Sequence, residues 1–179
     1  MIQVSKDIQL KAISRSDSET IFWLMKEIYT PAYKHFWTDN GDWYVNSQYS
    51  KENILKELSN TKSNYYFILF KGEIIGNFRF IWDDKLKGLS EEKQLKLHRI
   101  YLHPKTQGKG IGKQLLAWLE EKASEKGYQI IWLDAMNEQE QAFQFYKNLG
   151  YTYYSHVFLP FELMSNQFRK MSQLCKKLR

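Results

Sequence analysis

The chain has 179 residues, enough for one well-buried core and short for two. With 43% hydrophobic and 26% charged residues it is not a disordered composition, and a net charge of +6 favours anionic ligands without by itself indicating nucleic acid. The single cysteine, Cys175, excludes an internal disulfide and a cysteine-based metal cluster, and the absence of a long apolar run or a signal-like start makes a reducing cytoplasm the expected compartment.

Ile8 to Ser14 reads as a first short strand. Ser16, Asp17 or Ser18 then caps a helix whose Ile21, Leu24, Met25 and Ile28 share a face, and Pro31 is expected to stop it. Tyr33 to Tyr44 fits neither period; it is aromatic and turn-rich. Ser50 to Leu58 carries Ile54, Leu55 and Leu58 at helical spacing. Asn64 to Trp82 reads as two strands joined at Lys71-Gly72, a hairpin. The charged stretch Asp83 to Lys96 is a solvated excursion, and Leu95 to His103 is the next strand, closed by Pro104. From Ile111 the period becomes 3.6, with Ile111, Leu115, Leu119 and Ala123 on one face and Gly127 as the stop.

YQIIWLDA is a buried strand. Asn137 and Glu140 suggest a capping box for a helix bearing Ala142, Phe143, Phe145, Tyr146 and Leu149, ended by Gly150. Tyr151 to Phe161 is a further strand. The tail from Met164, basic through Arg169, Lys170, Lys176, Lys177 and Arg179, admits either a strand or a short helix. No repeat or linker divides the chain, so residues 1–179 form one domain of the α/β or α+β class, with six or seven strands and about four helices.

The stretch QGKGIG, Gln107 to Gly112, follows a strand and opens a helix. A Walker A loop needs a glycine where Gln107 stands and a hydroxyl where Gln114 stands, so it fails. A dinucleotide fingerprint needs a glycine at Lys113 or Leu115 and fails as well. What survives is an anion site: glycines let backbone N–H groups turn inward, the helix N-terminus adds donors, and Lys109 and Lys113 supply charge at the rim.

HRIYLHPKTQGKGIGKQLL resembles the signature of the GNAT family of N-acetyltransferases, (Gln/Arg)-x-x-Gly-x-(Gly/Ala), with Gln107, Gly110 and Gly112 at the defined positions and Gly108, Lys109 and Ile111 at the variable ones. A second family motif is matched by Ala142, Phe145, Tyr146, Lys147, Leu149, Gly150 and Tyr151. The likeness covers Leu97 to Tyr151 closely and is nearest to the PaiA-like bacterial polyamine branch. It implies a central mixed, mostly antiparallel sheet flanked by helices, and a V-shaped opening between the strands Leu97–His103 and Gln129–Asp134. Acetyl-CoA would lie there as cosubstrate.

The resemblance further implies that Ile100, Tyr101 and Leu102 meet the pantetheine arm through main chain, and that Gln107, Gly108, Lys109, Gly110, Ile111, Gly112 and Lys113 hold the pyrophosphate. Gln139, in preference to Asn137, would contact the cofactor, and Tyr146 would protonate the departing thiolate as the catalytic acid. Family members often carry a glutamate base on the strand before the loop; this strand has none. His98 has a suitable intrinsic pKa but by parity shares a face with Ile100 and Leu102, leaving Glu73, Asp134 or no base at all as alternatives. The aromatic segment, with Tyr33, His35, Phe36, Trp37, Trp43 and Tyr44 interleaved with Asp39 and Asp42, suits a small cationic amine acceptor. It equally suits a lid or a homodimer surface. His35, His98, His103 and His156 lack ligand spacing, so no metal is expected, and neither membrane nor nucleic acid is an expected partner. A non-catalytic acyl-CoA-binding or regulatory protein on the same scaffold is the alternative.

Overall fold

Lys71 and Gly72, at φ +51° and +85°, reverse the chain in two residues between the paired strands Ser63–Phe70 and Glu73–Trp82. That hairpin is the centre of one sheet in a computed structural model describing residues 1–178; Arg179 lies outside the described residues. In chain order the elements are β1 (Ile2–Gln3), β2 (Ile8–Ala12), α1 (Ser18–Tyr33), α2 (Asp42–Gln48), α3 (Lys51–Ser59), β3 (Ser63–Phe70), β4 (Glu73–Trp82), β5 (Gln94–Leu102), α4 (Ile111–Glu125), β6 (Ile130–Met136), α5 (Glu140–Asn148), β7 (Thr152–Phe158) and β8 (Lys170–Lys177). The sheet order is β1-β2-β3-β4-β5-β6-β8-β7, and only β5 and β6 run parallel, joined through α4.

Two cores fill the two faces. On one, Phe78, Phe80, Leu95, Leu97, Ile131 and Leu133 receive Ile111, Leu115 and Leu119 of α4 and Tyr146 of α5. On the other, Tyr65, Phe67 and Leu69 receive Ile21, Met25 and Ile28 of α1, Val45 of α2 and Ile54 of α3. Alternation along the strands sends neighbours to opposite layers, which is why the chain needs helices on both sides. No helix among the described residues is long and apolar enough to cross a membrane.

Most elements stand where the residue pattern puts them, with four differences. Helix α1 runs through Pro31 to Tyr33. Pro31 lies in the last turn, so it forfeits one hydrogen bond, and the Lys34 N–H closes the end on the Thr30 carbonyl. The aromatic segment is not wholly irregular: Lys34–Phe36 is a short 3-10 turn, and Asp42–Gln48 forms a fifth helix behind Gly41, whose φ of +83° admits the turn. The two residues of β1 raise the strand count to eight. The capping box at Asn137 does not form; α5 begins after Gln139, because Asn137 Oδ1 accepts from Ser172 on β8 instead. The tail is a strand, β8, inserted between β6 and β7.

Candidate active site

The parallel strands β5 and β6 pair from Gln94 and Ile130 to Leu97 and Leu133, and there the ladder stops. Each strand continues on its other side, β5 with β4 as far as Leu102 and β6 with β8 as far as Met136. Residues 98–102 and 134–136 therefore face one another as unpaired edges. The cause is local. Arg79 pairs with Arg99 but Phe80 with Leu97, so His98 is an extra residue bulged from β5, and a bulge bends and twists its strand. Gly76 completes the bend, since a Cβ there would stand 2.0 Å from the Tyr101 carbonyl oxygen. The resulting cleft holds about 260 Å³ and is lined on its floor and rim by Leu97, Ile100, Tyr101, Ala135, Met136, Gln139, Ala142 and Tyr146.

The glycine loop closes one end of this fork. Gly108 and Gly110 have φ of +76° and +69°, and an added Cβ at either would meet nothing within 4 Å. The requirement there is backbone conformation, with open space in front. Gly112 differs: its Cβ would come 3.1 Å from Phe145, so it permits α4 to pack against α5. The first bond into α4 is Gln114 N–H to the Gly110 carbonyl, and the N–H groups of residues 108–113 have no acceptor among the described residues. Six consecutive free donors at the N-terminus of a fifteen-residue helix make an arrangement that could receive a diphosphate-like anion.

A tyrosine ladder makes the far wall. Tyr29 stacks between Tyr33 and Tyr44 at centroid distances of 4.6 and 4.3 Å, and Tyr101 meets Tyr29 and Tyr33 edge-on. Beside it lies a buried ionic cluster. Glu57 of α3 receives Arg79 Nη1 on one oxygen and Arg99 Nη1 on the other, and Arg99 also donates to the Tyr65 hydroxyl at 3.1 Å. His98 accepts from Arg79 at Nδ1 at 2.8 Å. Burial and the adjacent arginines push its pKa down to about 2, so the ring stays neutral. Tyr146, 9% exposed, projects from α5 against Phe145 and Tyr151, and burial raises its phenol so that it is protonated at neutral pH.

Of the residues expected at the donor site, Ile100, Tyr101, Gln139 and Tyr146 line the cleft, while Leu102 packs beneath it near Gly112. Asn137 is turned away to Ser172. The three candidate bases fare differently. His98 lines the cleft, but the bulge puts it on the Arg99 face rather than with Ile100 and Leu102, which corrects the parity argument. Asp134 lines the cleft bound to Lys96 at 2.8 Å and to Gln173 at 3.2 Å. Glu73 lies exposed on the hairpin, 3.5 Å from Lys105. From the aromatic segment only Tyr33 and Tyr44 reach the cleft; Phe36 and Trp37 are core, His35 packs on Phe36 and Phe168, and Trp43 stands apart beside Phe161. Tyr29, Arg99 and the Glu57–Arg79 pair were not legible as site residues. Arg79, set among the apolar residues of 78–82, was the available signal; Arg99 stands in a strand that also carries Gln94, Lys96 and His98 and gave none.

Residues 22–151 match the acetyltransferase (GNAT) family. The chain belongs to that family. Membership makes this GNAT chain an acetyl-CoA-dependent acetyltransferase with the open mixed sheet of the family. It is 31% identical over 117 residues to an N-acetyltransferase from the pepI 3′ region of Lactobacillus delbrueckii subsp. lactis, spanning 65% of this chain and 68% of that one. It is 29% identical over 149 residues to a spermidine N(1)-acetyltransferase of Thermoplasma acidophilum, spanning 80% and 88%. Among solved structures, the PaiA N-acetyltransferase of Thermoplasma acidophilum in complex with coenzyme A superposes with a TM-score of 0.69 at 21% identity, covering 95% of this chain and 98% of that one.

Proposed function

We propose that the protein transfers an acetyl group from acetyl-CoA to a primary amine by direct attack within the β5–β6 fork. The observation that carries this is the alignment of two features: unpaired strand edges at 98–102 and 134–136, and the free N–H nest at 108–113 at one end. An amide-bearing pantetheine arm adds to the β5 edge as a strand does, through the main chain of Ile100, Tyr101 and Leu102. Gln107 to Lys113 receive the pyrophosphate, chiefly through backbone, with Lys109 and Lys113 at the rim. Gln139, which is among the residues lining the cleft, supplies a contact to the arm in this reading.

The amine nitrogen bonds to the thioester carbonyl carbon, the C–S bond breaks, and Tyr146 gives its phenolic proton to the departing sulfur; the proton that the nitrogen sheds on becoming an amide passes through solvent and restores the Tyr146 phenol. The amine must arrive unprotonated. Asp134 is held by Lys96, and His98 has its lone pair turned to Arg79, so no side chain of the cleft is a free strong base. Attack by the neutral fraction of the acceptor fits this wall. Cytoplasmic operation fits a single cysteine with no partner for an internal disulfide.

Thiol release from acetyl-CoA across a panel of polyamines, amino acids, aminoglycosides and peptide N-termini tests the proposal. Acceleration by at least one amine supports it. Tight acetyl-CoA binding with no acceleration by any of them favours the non-catalytic acyl-CoA-binding alternative.

A further inference from the structure

Two buried guanidinium groups share one carboxylate beside the cleft. Arg79 and Arg99, with side chains 5% and 3% exposed, both bond to Glu57, whose two oxygens are thereby occupied. His98, wedged against Arg79, is neutral and adds no negative charge. The cluster therefore carries one uncompensated positive charge in a low-dielectric wall, where an unpartnered ion is costly and an incoming anion is strongly favoured. Arg99 Nη1 is spent on Glu57 and Tyr65, while Nε and Nη2 find no acceptor among the described residues, and Arg99 is among the residues that line the cleft.

The opposite charge is missing from the same space. The one carboxylate lining the cleft, Asp134, is already bound to Lys96. Asp39 accepts from the Gly41 and Trp43 N–H groups, and Asp42 from Lys26 at 2.6 Å, both away from the cleft lining. A polycation entering here meets neutral tyrosine faces and a net positive wall.

We propose that the acceptor amine carries a carboxylate, and that Arg99 receives it through the guanidinium edge that Glu57 and Tyr65 leave free. The charge that draws the acceptor in is then the cluster's surplus, and Tyr29, Tyr33 and Tyr44 cover the carbon chain between amine and carboxylate. This deepens the transferase reading and rests on it for the identity of the site.

The test uses the full chain and three matched ω-substituted amines of equal length, ending in a carboxylate, a methyl or a second ammonium. Thiol release should give kcat/KM about tenfold or more higher for the amino acid than for the diamine, with the alkylamine between. Binding of the N-acetylated amino acid and N-acetylated diamine to the CoA-loaded protein, by calorimetry, should show the same order without turnover. Arg99→Met should abolish the preference in both assays. Because Arg99→Met removes one of the two partners of Glu57, Arg99→Lys serves as the second variant: it keeps the ion pair and loses the fork, and should reduce carboxylate binding about tenfold. A diamine that binds and reacts better than the amino acid overturns the proposal, as does a carboxylate preference untouched by Arg99→Lys. Carboxylate binding with no thiol release from any of the three would count against the transferase reading while leaving the anion subsite standing.

Discussion

Arg79 Nη1 donates to His98 Nδ1 at 2.8 Å, and the pair meets because the bulge turns the imidazole onto the face that Arg79 and Arg99 occupy. A guanidinium only donates, so Nδ1 must accept, and the neutral ring carries its proton on Nε2. The same contact that holds β4 to the bulged strand thus denies His98 a free lone pair at the site where a base is wanted.

Stability should record this. His98 has a folded pKa near 2 against 6.5 unfolded, so above about pH 6.5 neither state binds the proton and the group contributes no slope. As the pH falls below 6.5 the unfolded chain takes up a proton that the folded one refuses, and stability drops by up to about 1.4 kcal/mol per pH unit. Because the ring borders the cleft, a smaller slope is expected. Chemical denaturation between pH 6.5 and 5, where few carboxylates titrate, should show the slope in the wild type and lose most of it in His98→Asn. Parallel curves for the two proteins would contradict the assignment.

The rate should follow the acceptor rather than His98. If the neutral amine attacks, kcat/KM rises about tenfold per pH unit below the acceptor's own pKa. His98→Asn should leave that slope in place. A wild-type inflection near pH 6 to 7 that vanishes in the variant would instead make the imidazole the base.

Tyr146→Phe should lower kcat by about a hundredfold, the usual range for loss of a general acid, and leave acetyl-CoA affinity within about twofold. Burial holds the phenol protonated, so the activity of the wild type should show no loss attributable to Tyr146 ionisation up to pH 9 or so. Single-turnover thiol release alongside equilibrium binding measures both quantities. Equal turnover in the two proteins removes Tyr146 from the chemistry.

Gly110→Ala and Gly72→Ala separate conformational strain from binding. Both glycines have φ in the left-handed region with nothing within 4 Å of an added Cβ, so each substitution should cost about 1 kcal/mol of stability. Only Gly110→Ala should weaken acetyl-CoA, by about tenfold, because only its N–H belongs to the nest. Equal affinities in the two variants would place the pyrophosphate elsewhere.

Glu57→Ala leaves two buried guanidinium groups with no counterion and should cost about 3–5 kcal/mol, far more than a surface pair such as Lys85–Glu92. Thermal unfolding of Glu57→Ala and Glu92→Ala gives the comparison. A similar small loss in both would mean that water compensates the arginines.

The amino-acid pattern by itself determined the order of elements, the hairpin at Lys71-Gly72, the helix behind Gly110 and the stop at Gly127, because these depend on period, turn chemistry and capping within a few residues. It also located the glycine nest and Tyr146, since spacing and residue type carry that information along the chain. Pro31 and Asn137 misled for two reasons: at Asn137 a local rule was outweighed by a partner far away in sequence, and at Pro31 the rule applied at a helix end, where it costs one bond. The bulge at His98 was invisible, because one extra residue in a strand changes facing without changing composition. Everything decided by side chains meeting across the fold belonged to the tertiary structure alone. Glu57, Arg79 and Arg99 come from a helix and two strands, and only the antiparallel packing of β4 on β5 beneath α3 brings two cations to one carboxylate. The glycine loop at one end of the cleft is written in consecutive residues. The charge of the wall beside the tyrosines exists only once the chain is folded.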